Sequence, residues 1–161
     1  CALPICLFTE EEYQRVIRPT ESRVAEAAQA YSDTNLLHLC AWDGTPDRLE
    51  RWRGYETKLV NWDVDVEGVS LKDGKSYFGG RVVLGGFNNR PGQLLHTGSR
   101  EQVQAFTRQL LAETGQDGVI LGADCSLPPD IDRSRIRWVI EAAEAAAAEN
   151  PESAEIGQLT N

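Results

Sequence analysis

The 161-residue chain contains no methionine and only two histidines. A chain without an initiating methionine is expected to be a processed product, an excised piece or part of a longer polypeptide. Basic residues are scarce, 16 Lys and Arg against 25 Asp and Glu, which gives a formal net charge of −9. Basic clusters are short, as in Arg51-Trp52-Arg53. The clustered cations that bind phosphate are missing, so no nucleic-acid partner is expected. No apolar run approaches the ~20 residues of a membrane span. The opening CALPICLF lacks the positive flank of a secretory signal. The expectation is a protein of the cytoplasm with no membrane contact. The number of cysteines (Cys1, Cys6, Cys40 and Cys125) permits two disulfides. Their spacing is too sparse for a disulfide scaffold, so reduced thiols are expected, with Cys1 and Cys6 carrying no function.

What is present is 41% hydrophobic and long enough for one sizeable core. Thr9-Glu10-Glu11-Glu12 is a capping box opening a helix that runs toward Tyr31, with Pro19 expected to kink or split it. Thr45-Pro46 predicts a capped helix start ahead of Leu49 and Trp52. A short helix is predicted over Ser70–Phe78 despite Gly74, and Ser99-Arg100-Glu101-Gln102 is a second capping box. Asp130 or Asp132 can cap a last helix carrying Ile136, Val139 and Ile140. Between these lie Leu36–Trp42, Lys58–Trp62, Arg81–Phe87 and Gly118–Ala123, short Val/Ile/Leu-rich segments without clean alternation. Such segments read as strands of a parallel sheet buried on both faces. The order is a helix followed by four strand–helix units, hence an α/β fold with right-handed crossovers. Residues 1–150 form the domain in this reading, and 151–161 a frayed tail.

In parallel α/β folds functional groups collect beyond the carboxyl ends of the strands. This chain places there His38 and Cys40 from "LLHLCAWDG", Asp63 after "LVNW", the loop "GGFNNR", and Asp124-Cys125 after "VILGA". His38 and Cys40 are two apart, so they face the same side of a strand. Two thiolates and a neutral imidazole with one open position form a donor set that zinc accepts. Free cysteines are also common as small buried hydrophobes, and the residues alone leave both readings standing. His96 reads as an exposed loop residue, Asp43 as a partner for His38 or a helix start, and Trp42 and Trp62 as residues that could stack on a large ring but more simply pack against helices. Asn88, Asn89 and Arg90 could bind a polar ligand, or simply form a turn.

Four stretches carry a family resemblance: "LLHLCAWDG", "VNWDVD", "SLKDGKSYFGGRVVLGGFNNRPGQLLHTGSREQV" and "DGVILGADCSLPPDIDRSRIRWVIEAA". Together they resemble the C-terminal half of the uroporphyrinogen decarboxylase superfamily, which includes corrinoid-dependent methyltransferases. The resemblance implies a (β/α)8 TIM barrel about twice this length, of which the four strand–helix units would be half. His-x-Cys followed much later by Cys is similar to the zinc signature of the methylcorrinoid:thiol methyltransferase branch. It implies His38, Cys40 and Cys125 as zinc ligands, with Asp63 as a displaceable fourth. The implied reaction moves a methyl group from a methylcorrinoid on a separate protein to a small thiol. "GADCSLP" stands where the decarboxylases carry a Gly-His-Gly-type loop, a departure from the metal-free decarboxylase pattern. The decarboxylase reading is the alternative, and a non-catalytic half-barrel that binds or assembles is a further one. A half-barrel also implies unpaired sheet edges. The missing N-terminal half or a second copy would cover them, and transfer by the half alone would be weak.

Overall fold

The computed structural model describes residues 7–41 and 44–149. Cys1, Cys6, Trp42, Asp43 and the tail 151–161, all assigned a role or a null one above, lie outside the described residues. The Thr9 box forms as predicted: Glu12 N–H donates to Thr9 Oγ1 at 3.2 Å, and Thr9 N–H donates to the Glu12 carboxylate at 2.9 Å. It opens α1 (Glu10–Glu12), which passes through a π turn (Tyr13–Ile17) into α2 (Arg18–Tyr31). Pro19 falls in the first turn of α2, and the wider π turn lies immediately before it, so the run is divided there into two α segments.

The predicted strands are present as β1 (Leu36–Leu39), β2 (Leu59–Trp62), β3 (Val82–Phe87) and β4 (Val119–Ala123). They form one parallel sheet in the order β1-β2-β3-β4. Helices α3 (Val64–Glu67) and α4 (Leu71–Tyr77) follow β2, α5 (Leu94–Thr97) and α6 (Arg100–Thr114) follow β3, and α7 (Ser134–Glu149) follows β4. The architecture is α/β, four parallel strands alternating with helices, as part of a (β/α)8 barrel is built. Among the described residues no helix is long and apolar enough to cross a membrane.

The sheet departs from expectation in its burial. Leu39, Val60, Trp62, Val83 and Phe87 lie under the helices at 2% exposure or less. The opposite row, His38, Asn61, Leu84 and Ile120 in register, belongs to a face where Leu36 is 49% and Ile120 43% exposed. One face is buried rather than two. The sheet also curls toward that open face. Asn61 Nδ2 on β2 reaches the Ala123 carbonyl on β4 at 3.4 Å, although flat strands would hold those backbones about 10 Å apart.

Local chemistry explains the remaining elements. Ser70 caps α4, and Gly74 lets it lie flat against Trp62, since a Cβ at Gly74 would fall 2.2 Å from the indole ring. Trp62 Nε1 donates to Val69 O at 2.8 Å, so this tryptophan is a packing residue as predicted. Ser99 forms the second capping box, at the start of α6. Thr45-Pro46 does not start a helix. Asp47 turns its carboxylate back to the Ala41 N–H at 2.8 Å, and Arg48 adopts φ 59, which leaves only a 3-10 turn over Leu49–Trp52. At α7 it is Asp132 that accepts the Ser134 N–H, at 2.9 Å. Asp130 instead lies 3.4 Å from His96 Nε2. His96 is in α5 rather than a loop, and its Nδ1 accepts the Gly92 N–H at 2.9 Å.

Candidate metal centre

Cys40 follows the end of β1, and Cys125 lies two residues beyond the end of β4. These are the outer strands of the sheet, about 14 Å apart if it were flat. The curl and the loops above the strand ends close that gap: the two Sγ atoms are 3.6 Å apart, and Cys125 Sγ lies 3.4 Å from His38 Nε2. The three donor atoms all lie within 4.8 Å of one another, and both thiols are free and half-buried. A tetrahedral zinc ion, at about 2.3 Å from sulfur and 2.0–2.1 Å from nitrogen, would separate its ligands by about 3.5–3.8 Å. The residues present fit such an ion in donor type and in spacing.

Electrostatics keeps the thiol pair protonated in the absence of a cation. Burial and the neighbouring Cys125 thiol push the Cys40 thiol up to about 11. Without a cation between them, two thiolates at this separation repel each other and neither is well solvated. A bound divalent cation reverses that preference.

His38 is held by a residue that sequence reasoning passed over. Its Nδ1 is hydrogen-bonded to Asn61 Oδ1 on the adjacent strand, its partner in register. Asn61 is 4% exposed and also donates through Nδ2 to the Leu84 carbonyl at 2.8 Å. The only trace in the sequence was an asparagine inside the apolar run "LVNW".

Asp63, expected as a displaceable fourth ligand, lies outside the three-residue cluster. One of its oxygens caps α3 by accepting the Val66 N–H at 3.0 Å, and the other is 2.8 Å from Arg90 Nη2. The same ion pair occupies Arg90, for which a polar ligand and a simple turn were both open. Asn88 donates to Asp65, and its Oδ1 accepts the Arg90 N–H at 2.9 Å. Asn89 donates to the Ser126 carbonyl at 2.9 Å, while its Oδ1 is buried with no partner among the described residues. Asn89, Arg90 and Asp63 line a cavity of about 310 Å³ together with Cys40 and Cys125; Asn88 does not.

Asp124 ties this rim together. Its carboxylate is 1% exposed and accepts the Gly86 N–H at 2.7 Å and the Val64 N–H at 3.3 Å. It thereby fixes the end of β4 against β3 and the start of α3, one residue before Cys125. Burial raises its carboxyl to about 7 against the pull of those two N–H donors. A side chain at Gly85, where φ is 141, would place its Cβ 2.9 Å from Asp124 Oδ1. The rim geometry therefore depends on glycine at that position.

No curated protein matches the chain. Residues 6–146, however, match the family model described as uroporphyrinogen decarboxylase (URO-D), and with that match spanning the sheet, the helices and the three-residue cluster, the chain belongs to the uroporphyrinogen decarboxylase family.

Proposed function

We propose that the chain carries the metal-binding part of a zinc-dependent methyltransferase of this family, one that passes a methyl group from a methylcorrinoid to a small thiol. The observation that supports this most is the convergence of His38, Cys40 and Cys125 from the two outer strands onto one point of the rim. Zinc bound there would lower the pKa of a substrate thiol and keep it a thiolate at neutral pH. Cys40 and Cys125 supply two anionic sulfurs, and His38 supplies a neutral nitrogen held by Asn61. Asp63, Asn89 and Arg90 form the wall of the adjoining cavity, whose volume of about 310 Å³ accommodates a small thiol beside the cysteines. On this reading Arg90, already paired with Asp63, shapes that wall rather than gripping a separate cofactor.

The partners follow from the open face. Further barrel strands, from the N-terminal half of a longer polypeptide or from a second copy, would pair the free edges of β1 and β4. A methylcorrinoid carried on a separate protein would approach the rim where the thiol lies. The family's decarboxylase chemistry, which the resemblance implies is metal-free, is the reading to test against.

Loading the reduced chain with Co2+ in place of zinc separates the two. On the methyltransferase reading, a small thiol added to the cobalt protein alters its visible absorption and releases about one proton per thiol bound. On the decarboxylase reading neither change occurs. In the polypeptide that completes the barrel, methylcobalamin and a small thiol should react, and His38→Ala should abolish the reaction.

A further inference from the structure

We infer that Asn61 is a positioning residue that fixes the tautomer of His38, and that His38 therefore offers Nε2, not Nδ1, to the cluster. The inference rests on the metal-centre reading above for its purpose, but on hydrogen-bond chemistry alone for its content. An asparagine amide has one accepting end and one donating end. Its Nδ2 faces the Leu84 carbonyl at 2.8 Å and the Ala123 carbonyl at 3.4 Å, and a carbonyl oxygen can only accept. The donating end is thus pinned by two strands, β3 and β4. Oδ1 is left facing the His38 ring on β1.

An oxygen acceptor in that position requires a proton on Nδ1. The neutral imidazole then carries its lone pair on Nε2, the atom that lies 3.4 Å from Cys125 Sγ. Asn61 joins all four strands of the sheet to one ring orientation. A hydrophobic residue of similar size would fill the same space and leave the ring free to take either tautomer. Outer partners of this kind typically change metal affinity by about 10–100-fold when removed.

His96 provides an internal reference. The Gly92 N–H can only donate, and it donates to His96 Nδ1 at 2.9 Å, so His96 must carry its proton on Nε2. The only two histidines of the chain are therefore expected to hold opposite tautomers.

The test is a long-range proton–nitrogen NMR correlation on reduced, metal-free protein labelled with 15N-histidine, at a pH where both rings are neutral. His38 is expected with a protonated Nδ1 and a bare Nε2, and His96 with the reverse. Asn61→Leu should release His38 to a mixture of the two tautomers while leaving the His96 pattern unchanged, which also reports that the fold survives. Asn61→Asp, with its second carboxyl oxygen protonated against the Leu84 carbonyl, keeps an acceptor toward Nδ1 and should retain the wild-type tautomer. Zinc affinity should fall about 10–100-fold in Asn61→Leu and much less in Asn61→Asp. Were Asn61→Leu to lose the His96 signature as well, the wild-type and Asn61→Asp spectra would still decide the matter. A wild-type His38 protonated on Nε2, or one whose tautomer ignores Asn61→Leu in a folded protein, overturns the inference. Absence of zinc binding alongside the expected tautomers would instead count against the metal-centre reading and leave the role of Asn61 intact.

Discussion

Leu39, Val60, Trp62, Val83 and Phe87 sit beneath the helices at 2% exposure or less, whereas Leu36 and Ile120, on the opposite face of the same sheet, stand 49% and 43% exposed. The strands carry apolar residues on both sides, yet among the described residues only one side is covered. The buried apolar residues of the strands, among the described residues, are concentrated on the helix side. The open, concave side holds Asn61, His38 and, at its rim, Cys40 and Cys125. Substitutions on the two faces should therefore have separable consequences.

The largest effect is expected under the helices. Trp62→Ala removes an indole packed against Phe78 and Gly74, and should cost about 3–5 kcal/mol in chemical denaturation. Gly74→Ala probes the same contact from the helix side. It forces a methyl group into the Trp62 ring and should cost about 1–3 kcal/mol, despite alanine's better helix propensity. A neutral result at Gly74 would mean that α4 does not lie as close to the sheet as described.

On the concave face the same kind of change should do the opposite of harm. Leu36→Thr with Ile120→Thr should shift stability by no more than about 0.5 kcal/mol per site. It should also reduce the dimerisation or aggregation that two uncovered sheet edges favour. Sedimentation of wild type as a compact monomer at micromolar concentration would remove the basis for that expectation.

The smallest effect lies behind α2. Glu21 receives the hydroxyls of Tyr13 and Tyr55 on one carboxylate oxygen, at 3.3 and 3.2 Å. Burial raises its pKa above the ordinary 4.5, outweighing those two hydrogen bonds. A carboxyl raised in the folded state contributes stability below its unfolded pKa and loses it as pH rises through the folded value. The contribution of Glu21 to stability should thus decline modestly from pH 4.5 upward through that range. Glu21→Gln should flatten the decline in urea midpoints measured at successive pH values. An unchanged slope would assign the pH dependence to other groups.

Much of this was legible in the sequence because it is local. The boxes at Thr9 and Ser99 and the cap at Ser70 specify helix starts through atoms three residues apart. The β2, β3 and β4 segments end where apolar runs end. What stayed hidden depends on register and on distant partners. Thr45-Pro46 has the composition of a helix start, but the Asp47 carboxylate finds the Ala41 N–H first and Arg48 turns left-handed. Asn61 reads as a tolerated polar residue until register sets it beside His38. Asp63 had the right residue type at the right strand end for a ligand. Its commitment to Arg90, from a loop 27 positions later, could not be read from either residue alone.

His38, Cys40 and Cys125 on the concave rim are proposed to hold one metal ion. The most direct measurement is zinc content of reduced, purified protein by elemental analysis, for wild type beside Cys40→Ser, Cys125→Ser and Asp63→Asn. Wild type should carry about one zinc per chain, both cysteine variants should lose it, and Asp63→Asn should retain it. Equal zinc in all four proteins, or none in wild type, would contradict the proposal.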